Sequence, residues 1–229
     1  MKKVMIHPSD YEHAHEGVKL AFDLFPTPIR GKKVLIKPNL LRASEAAEAI
    51  VTHPAVLKAV VEQVAALEPE SLVVGDNPGL FNYGANEESF EKTGLLAAAG
   101  EYCQNIGDDS IGVEFNPDFM DSVSLSRAIL EADTIISLPK FKTHGLTVMT
   151  GAIKTVTGFY PGLRKPGCIG RRAVRSGFTI WWSMCSASGC RTCSSSMLLW
   201  VWRVTGRHHR ISGISVWSWR RTMRSPWMG

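Results

Sequence analysis

The sequence has no carboxylate and no lysine among its last 63 residues, no tryptophan among its first 180, and one cysteine before residue 167. Each absence excludes something. A folded soluble domain mixes both signs of charge on its surface, so residues 167–229, with ten Arg and no acid, do not read as an ordinary domain. The formal charge of +5 therefore averages a region of −5, residues 1–166, with a region of +10, and is no argument for a nucleic-acid partner. No apolar run is long enough to cross a membrane, and the start, Met1 to Pro8, is too short in apolar residues for a signal peptide. The expectation is a cytoplasmic protein with neither nucleic acid nor membrane as partner.

The missing tryptophans reappear between Trp181 and Trp227, together with four of the five cysteines. A reading frame that slips near Gly167 accounts for this. Trp and Met have one codon each, so moving the frame back by one base turns the Trp227–Met228 junction into Asp and the Met228–Gly229 junction into Gly. The stretch Trp202 to Gly206 then permits Met-Glu-Gly-Asp-Gly, and carboxylates return with strand-like alternation. Residues 1–166 are expected to be an α/β domain, and residues 167–229 an out-of-frame tail without a native fold. Within that tail Cys185, Cys190 and Cys193 have ferredoxin-like spacing, but the only fourth thiol of the tail, Cys168, lies upstream, so no cluster is expected. Cys103 sits in an expected strand as packing.

What is present before residue 167 is an alternation of strands and helices. Val4 to Ile6, Val34 to Ile36, Ser71 to Gly75 and Thr134 to Leu138 are short β-branched or apolar runs, the last one apolar enough to be buried on both faces. Ser9 and Glu12 suggest a capping box before a helix burying Val18, Phe22 and Phe25. His53 or Thr52 caps a helix begun by Pro54. A helix is expected over about 87–99, a strand around 102–106, a short helix over 125–130, and another helix carrying Leu146, Met149, Ile153, Val156 and Phe159. The predicted architecture is a mostly parallel sheet with helices on both faces, incomplete, and an irregular C-terminal region.

Val34 to Leu41, Thr52-His53-Pro54, Gly75 to Gly79, Leu138 to His144 and Met149 to Lys154 resemble, in order and spacing, the domain-of-unknown-function 362 family. The resemblance covers residues 1 to about 166. It implies a soluble prokaryotic protein of unsettled role, some relatives of which are joined to modules carrying 4Fe-4S clusters. It also implies a further α/β portion that this copy lacks as written.

Polar residues gather where the expected strands end, which is where open α/β sheets bind ligands. Lys37, Asn39, Asp76, Asn77, Lys140, Lys142 and Thr143 are the expected ligand-binding set, suited to a small anion such as phosphate or carboxylate. Singly, each reads better as a solvated terminus or a turn; it is the set, repeated at successive strand ends, that points to a shared site. His144 as general acid or base, with Lys154 or Lys140 steadying negative charge, is the enzyme form of this site. No metal is expected; His53, Asp76 and His144 are the weak candidates. Two further readings stand beside the anion site: a redox-associated adaptor partnered by a ferredoxin-type protein, which the resemblance suggests, and a frameshifted product without function. The sequence names neither substrate nor reaction.

Overall fold

A computed structural model of the chain describes residues 4–77, 86–114, 122–144, 148–151, 197–205 and 210–219. At its centre β2 (Lys33–Pro38) runs parallel between β3 (Ser71–Val74) and β6 (Thr134–Leu138), with Ile36 opposite Val74 on one side and Ile136 on the other. Every residue of β6 is buried, as its unbroken apolar run predicts. Beyond β6 lies the parallel β9 (Met197–Thr205), then β10 (Arg210–Trp219) antiparallel to it, and then β1 (Val4–His7) antiparallel to β10. The chain is therefore α/β, with a parallel sheet from β3 to β9 and antiparallel pairing beyond it.

Alternate residues of the central strands face two layers. Val34, Ile36, Leu72 and Val74 join one core with α1 (Ala14–Leu24), α2 (Pro54–Ala65) and α4 (Leu95–Ala99). The stripe Val56, Val60 and Val64, with Leu57 and Val61, is wholly buried. Each such side chain contributes roughly 1.5–3 kcal/mol before the entropy of ordering it is subtracted. Leu35 and Val73 face the opposite layer, where α5 (Arg127–Glu131) buries Ile129.

Several local expectations are corrected. Helix α1 begins at Ala14, not behind a Ser9–Glu12 box: Asp10 accepts the His13 N–H at 2.8 Å, and the Ser9 hydroxyl donates instead to the Asp10 and His13 carbonyls. The single helix over 87–99 is two, α3 (Asn86–Lys92) and α4, divided at Gly94, whose φ of 74° no helix accommodates. The expected strand at 102–106 shrinks to one bridge, Cys103 to Val74, after a 3-10 turn over Gly100–Tyr102. Between that bridge and α5 lies a separate antiparallel pair, β4 (Ser110–Glu114) and β5 (Ser122–Ser126), which takes up the first two residues of the short helix expected over 125–130.

The largest correction follows Pro139. The chain does not turn into a helix there; β7 (Lys140–His144) pairs antiparallel with β8 (Val148–Thr150), and the Thr150 hydroxyl donates to the Lys140 carbonyl at 2.7 Å. Thr143, Val148 and Thr150 are β-branched and favour the hairpin, whereas the spacing of Leu146 and Met149 alone does not separate helix from strand. Ile153 to Phe159 lie outside the described residues.

Candidate functional site

Three successive parallel strands end on the same side of the sheet, and their exits carry the polar residues singled out above. At the end of β2 the Lys37 ammonium lies 2.5 Å from Asp76 Oδ1, just past β3, with Lys37 only 1% and Asp76 3% exposed. Asp76 also accepts the backbone N–H groups of Leu40 and Asn77, each at 2.8 Å. One carboxylate thus ties the exits of β2 and β3 together through three donors of this chain.

The neighbouring residues stitch the loop over 40–51 to the sheet. Thr52 Oγ1 accepts the Asn39 N–H at 2.8 Å and donates to the Leu138 carbonyl at 2.6 Å, while Asn39 Nδ2 donates to the Ile50 carbonyl at 3.1 Å. The Lys142 ammonium donates to that same carbonyl. Asn77 is buried beside Gly107, and Thr143 is exposed on β7.

Lys140, first residue of β7, stands apart chemically. Only 3% exposed, its ammonium donates to the Tyr11 hydroxyl at 3.0 Å and lies 5.7 Å from the centre of the Tyr11 ring. Tyr11 stacks on His53, with ring centres 3.5 Å apart and planes 8° from parallel. His53 is the N-cap of α2, as expected, and its Nδ1 accepts the Ala55 N–H at 3.2 Å. Burial, helped by the nearby Lys140 charge, pushes the His53 imidazole down to about 4, so it is neutral at pH 7. Burial likewise lowers the Lys140 ammonium and raises the Tyr11 phenol. Among the described residues no carboxylate lies within ion-pair distance of Lys140.

Lys37, Asn39, Asp76, Asn77, Lys140, Lys142 and Thr143 therefore share one end of the sheet region, joined by His53 and by Tyr11. Sequence reasoning missed Tyr11, a lone aromatic in a polar segment; the hint was its place just before the first helix. The His144 side chain and all of Lys154 lie outside the described residues. No group of three His, Cys, Asp or Glu side chains gathers as a metal site among the described residues. A cavity of about 190 Å³ lies elsewhere, between α5 and Leu35 and Val73, and none of these site residues lines it. Cys103 is half-buried against the core, and burial raises its thiol.

The fold recurs in solved structures. The chain matches a crystal structure of a Thermotoga maritima protein with a TM-score of 0.56 and 15% identity, over 92% of this chain and 55% of that one. It matches the lactate racemase apoprotein of Thermoanaerobacterium thermosaccharolyticum with a TM-score of 0.57 and 15% identity, over 89% of this chain and 51% of that one. Among curated sequences, the thylakoid-associated protein sll1697 of Synechocystis sp. is 30% identical over 142 residues, which is 59% of this chain and 41% of that protein. The chain spans less than half of that relative and about half of each solved structure. Residues 34–190 match the model of a domain of unknown function, DUF362. With more than half its length matched and the five motifs in order, the chain belongs to the DUF362 family.

Proposed function

We propose that the chain binds a small anionic ligand at the carboxyl ends of β2, β3 and β6. The observation that carries this reading is Lys140, a buried cation with aromatic and hydroxyl neighbours and no carboxylate partner among the described residues. Burying a charge without a counter-charge is costly, and a bound anion offsets that cost. Lys142 and Thr143 on the same strand add donors, while the Lys37–Asp76 and Asn39–Thr52 contacts hold the loop around them. His144 as acid or base and Lys154 as a charge-steadying group extend the reading to catalysis. Thermal-shift screening with phosphate, sulfate and small carboxylates tests it, and lactate belongs in the panel because one fold neighbour is a lactate racemase apoprotein. A stabilising anion that Lys154→Ala no longer recognises is expected. An unchanged melting temperature across the panel refutes the reading.

We further propose that residues 167–229 are translated out of frame, so that this copy is truncated. The absence of carboxylate and lysine there, against the balanced composition before it, supports this. The family match runs on to residue 190. Resequencing should therefore extend from the codons of Lys165 through those of Cys190, where a single-base correction is expected.

A further inference from the structure

We infer that the cavity of about 190 Å³ between α5 and the starts of β2 and β3 is a second binding site, for a small neutral molecule with an apolar body and one hydroxyl that Ser126 recognises. This goes beyond the anion-binding reading and shares no residue with it. Lys37 and Asp76 stand at the carboxyl ends of β2 and β3, whereas the cavity reaches Lys33 and Ser71, the first residues of the same strands.

The lining selects the body of the ligand. Leu35 and Val73 from the sheet, Ile106, and Ala128 and Ala132 on the α5 side supply an apolar surface. The volume exceeds the about 150 Å³ that holds a benzene ring and falls short of the about 300 Å³ at which pockets for drug-sized ligands begin, so one ring with small substituents fits. Charge is balanced in the same place. Lys33 and Arg127 line the cavity together with Asp109 and Glu131, two residues of each sign. Arg127 holds Asp109 at 2.8 Å and stands 4.0 Å from Glu131, and Lys33 stands 3.9 Å from Glu70. A charged ligand would meet a like charge as well as an opposite one within a single lining, whereas a neutral ligand disturbs no pair.

Ser126 supplies the polar contact. It is wholly buried, its hydroxyl has no hydrogen-bond partner among the described residues, and although it precedes α5 it does not cap that helix. A buried hydroxyl left unpaired is unfavourable, and a ligand hydroxyl, which can donate or accept, removes the deficit. Of the buried polar side-chain atoms that lack a partner among the described residues, it alone belongs to a residue lining this cavity.

The experiment is ligand-observed fluorine NMR on the full 229-residue chain, with para-fluorophenol, fluorobenzene, para-fluorobenzoate and para-fluorobenzylamine titrated in parallel at neutral pH. The phenol is expected to bind most tightly. Ser126→Ala should weaken it about threefold to tenfold, the size of one lost hydrogen bond, and leave fluorobenzene unchanged. The same substitution should raise the melting temperature of the free chain, because it deletes a buried polar atom that has no partner. Ala128→Leu, which sets a larger side chain in the cavity, should abolish the binding of both neutral probes. If Ala128→Leu does not melt cooperatively, the Ser126→Ala comparison decides alone. Four results would overturn the inference: no binding of the phenol, equal binding of phenol and fluorobenzene, a phenol response indifferent to the substitutions, or tighter binding of a charged probe that Ala128→Leu removes. None of them bears on the anion reading, whose residues lie at the other end of the strands.

Discussion

Lys37 and Asp76 illustrate how little of a side chain's role its type reveals. A lysine at a strand end ordinarily extends its ammonium into water, yet this one is buried against a carboxylate that also accepts two backbone N–H groups. Removing the carboxylate takes from a buried ammonium and two N–H groups the acceptor they share. Asp76→Ala is therefore expected to destabilise the chain by roughly 3–5 kcal/mol, measured by urea unfolding. Lys37→Met should cost less, because the carboxylate retains its two N–H donors. His53 supplies a pH signature with a definite sign. Its folded-state value of about 4 lies below its ordinary 6.5, so between these values the unfolded chain binds more protons. Stability is expected to rise with pH across that window, by roughly 2 kcal/mol after allowance for partial exposure of the ring, and to lose that share on acidification. A His53→Asn variant, which replaces the capping Nδ1 with an amide oxygen that does not titrate, should flatten the slope.

At the scale of elements, legibility followed physical simplicity. Strands β2, β3 and β6 were legible because buried parallel strands are unbroken apolar runs, and α2 was legible because His53-Pro54 is both cap and first turn. The β7–β8 hairpin was not, since its register depends on Thr150 bonding the Lys140 carbonyl across the sheet, which no local spacing encodes. The ligand-binding residues were legible as a group, from their repeated position at strand exits. Their division into a closed pair, Lys37 with Asp76, and an aromatic-flanked cation, Lys140, depends on contacts between distant segments. Glycine 75 offers a test of the packing at these exits. A Cβ there would collide with Ile106 Cγ2 and approach the Gln104 carbonyl to 2.9 Å. Gly75→Ala is expected to cost about 1–3 kcal/mol by displacing the 104–106 segment, whereas Gly94→Ala should cost about 1 kcal/mol through its positive φ. Denaturant midpoints distinguish the two if the slope with denaturant is unchanged.

For the whole molecule, β9 and β10 occupy the space between β6 and β1, so among the described residues β1 reaches the sheet through β10. Ladder hydrogen bonds are made by backbone groups that every residue but proline possesses, and Met197 to Trp219 is rich in β-favouring Leu, Val, Ile, Thr and Trp. Strand pairing in that slot and an out-of-frame origin of the sequence are therefore compatible: the ladder does not read side chains. Composition is what separates the two versions of this segment. As written, residues 167–229 add ten positive charges and no negative one, so repulsion among them opposes compaction and is screened by salt. The melting temperature of the chain as written is expected to climb as potassium chloride rises from about 20 mM to about 500 mM, where the Debye length shrinks to a few ångströms. A chain carrying the single-base correction regains carboxylates across residues 167–229 and should melt higher at low salt, with a much shallower salt dependence. Equal salt slopes for the two chains would show that the arginine-rich segment is accommodated as it stands, and would remove the compositional reason for a slipped frame.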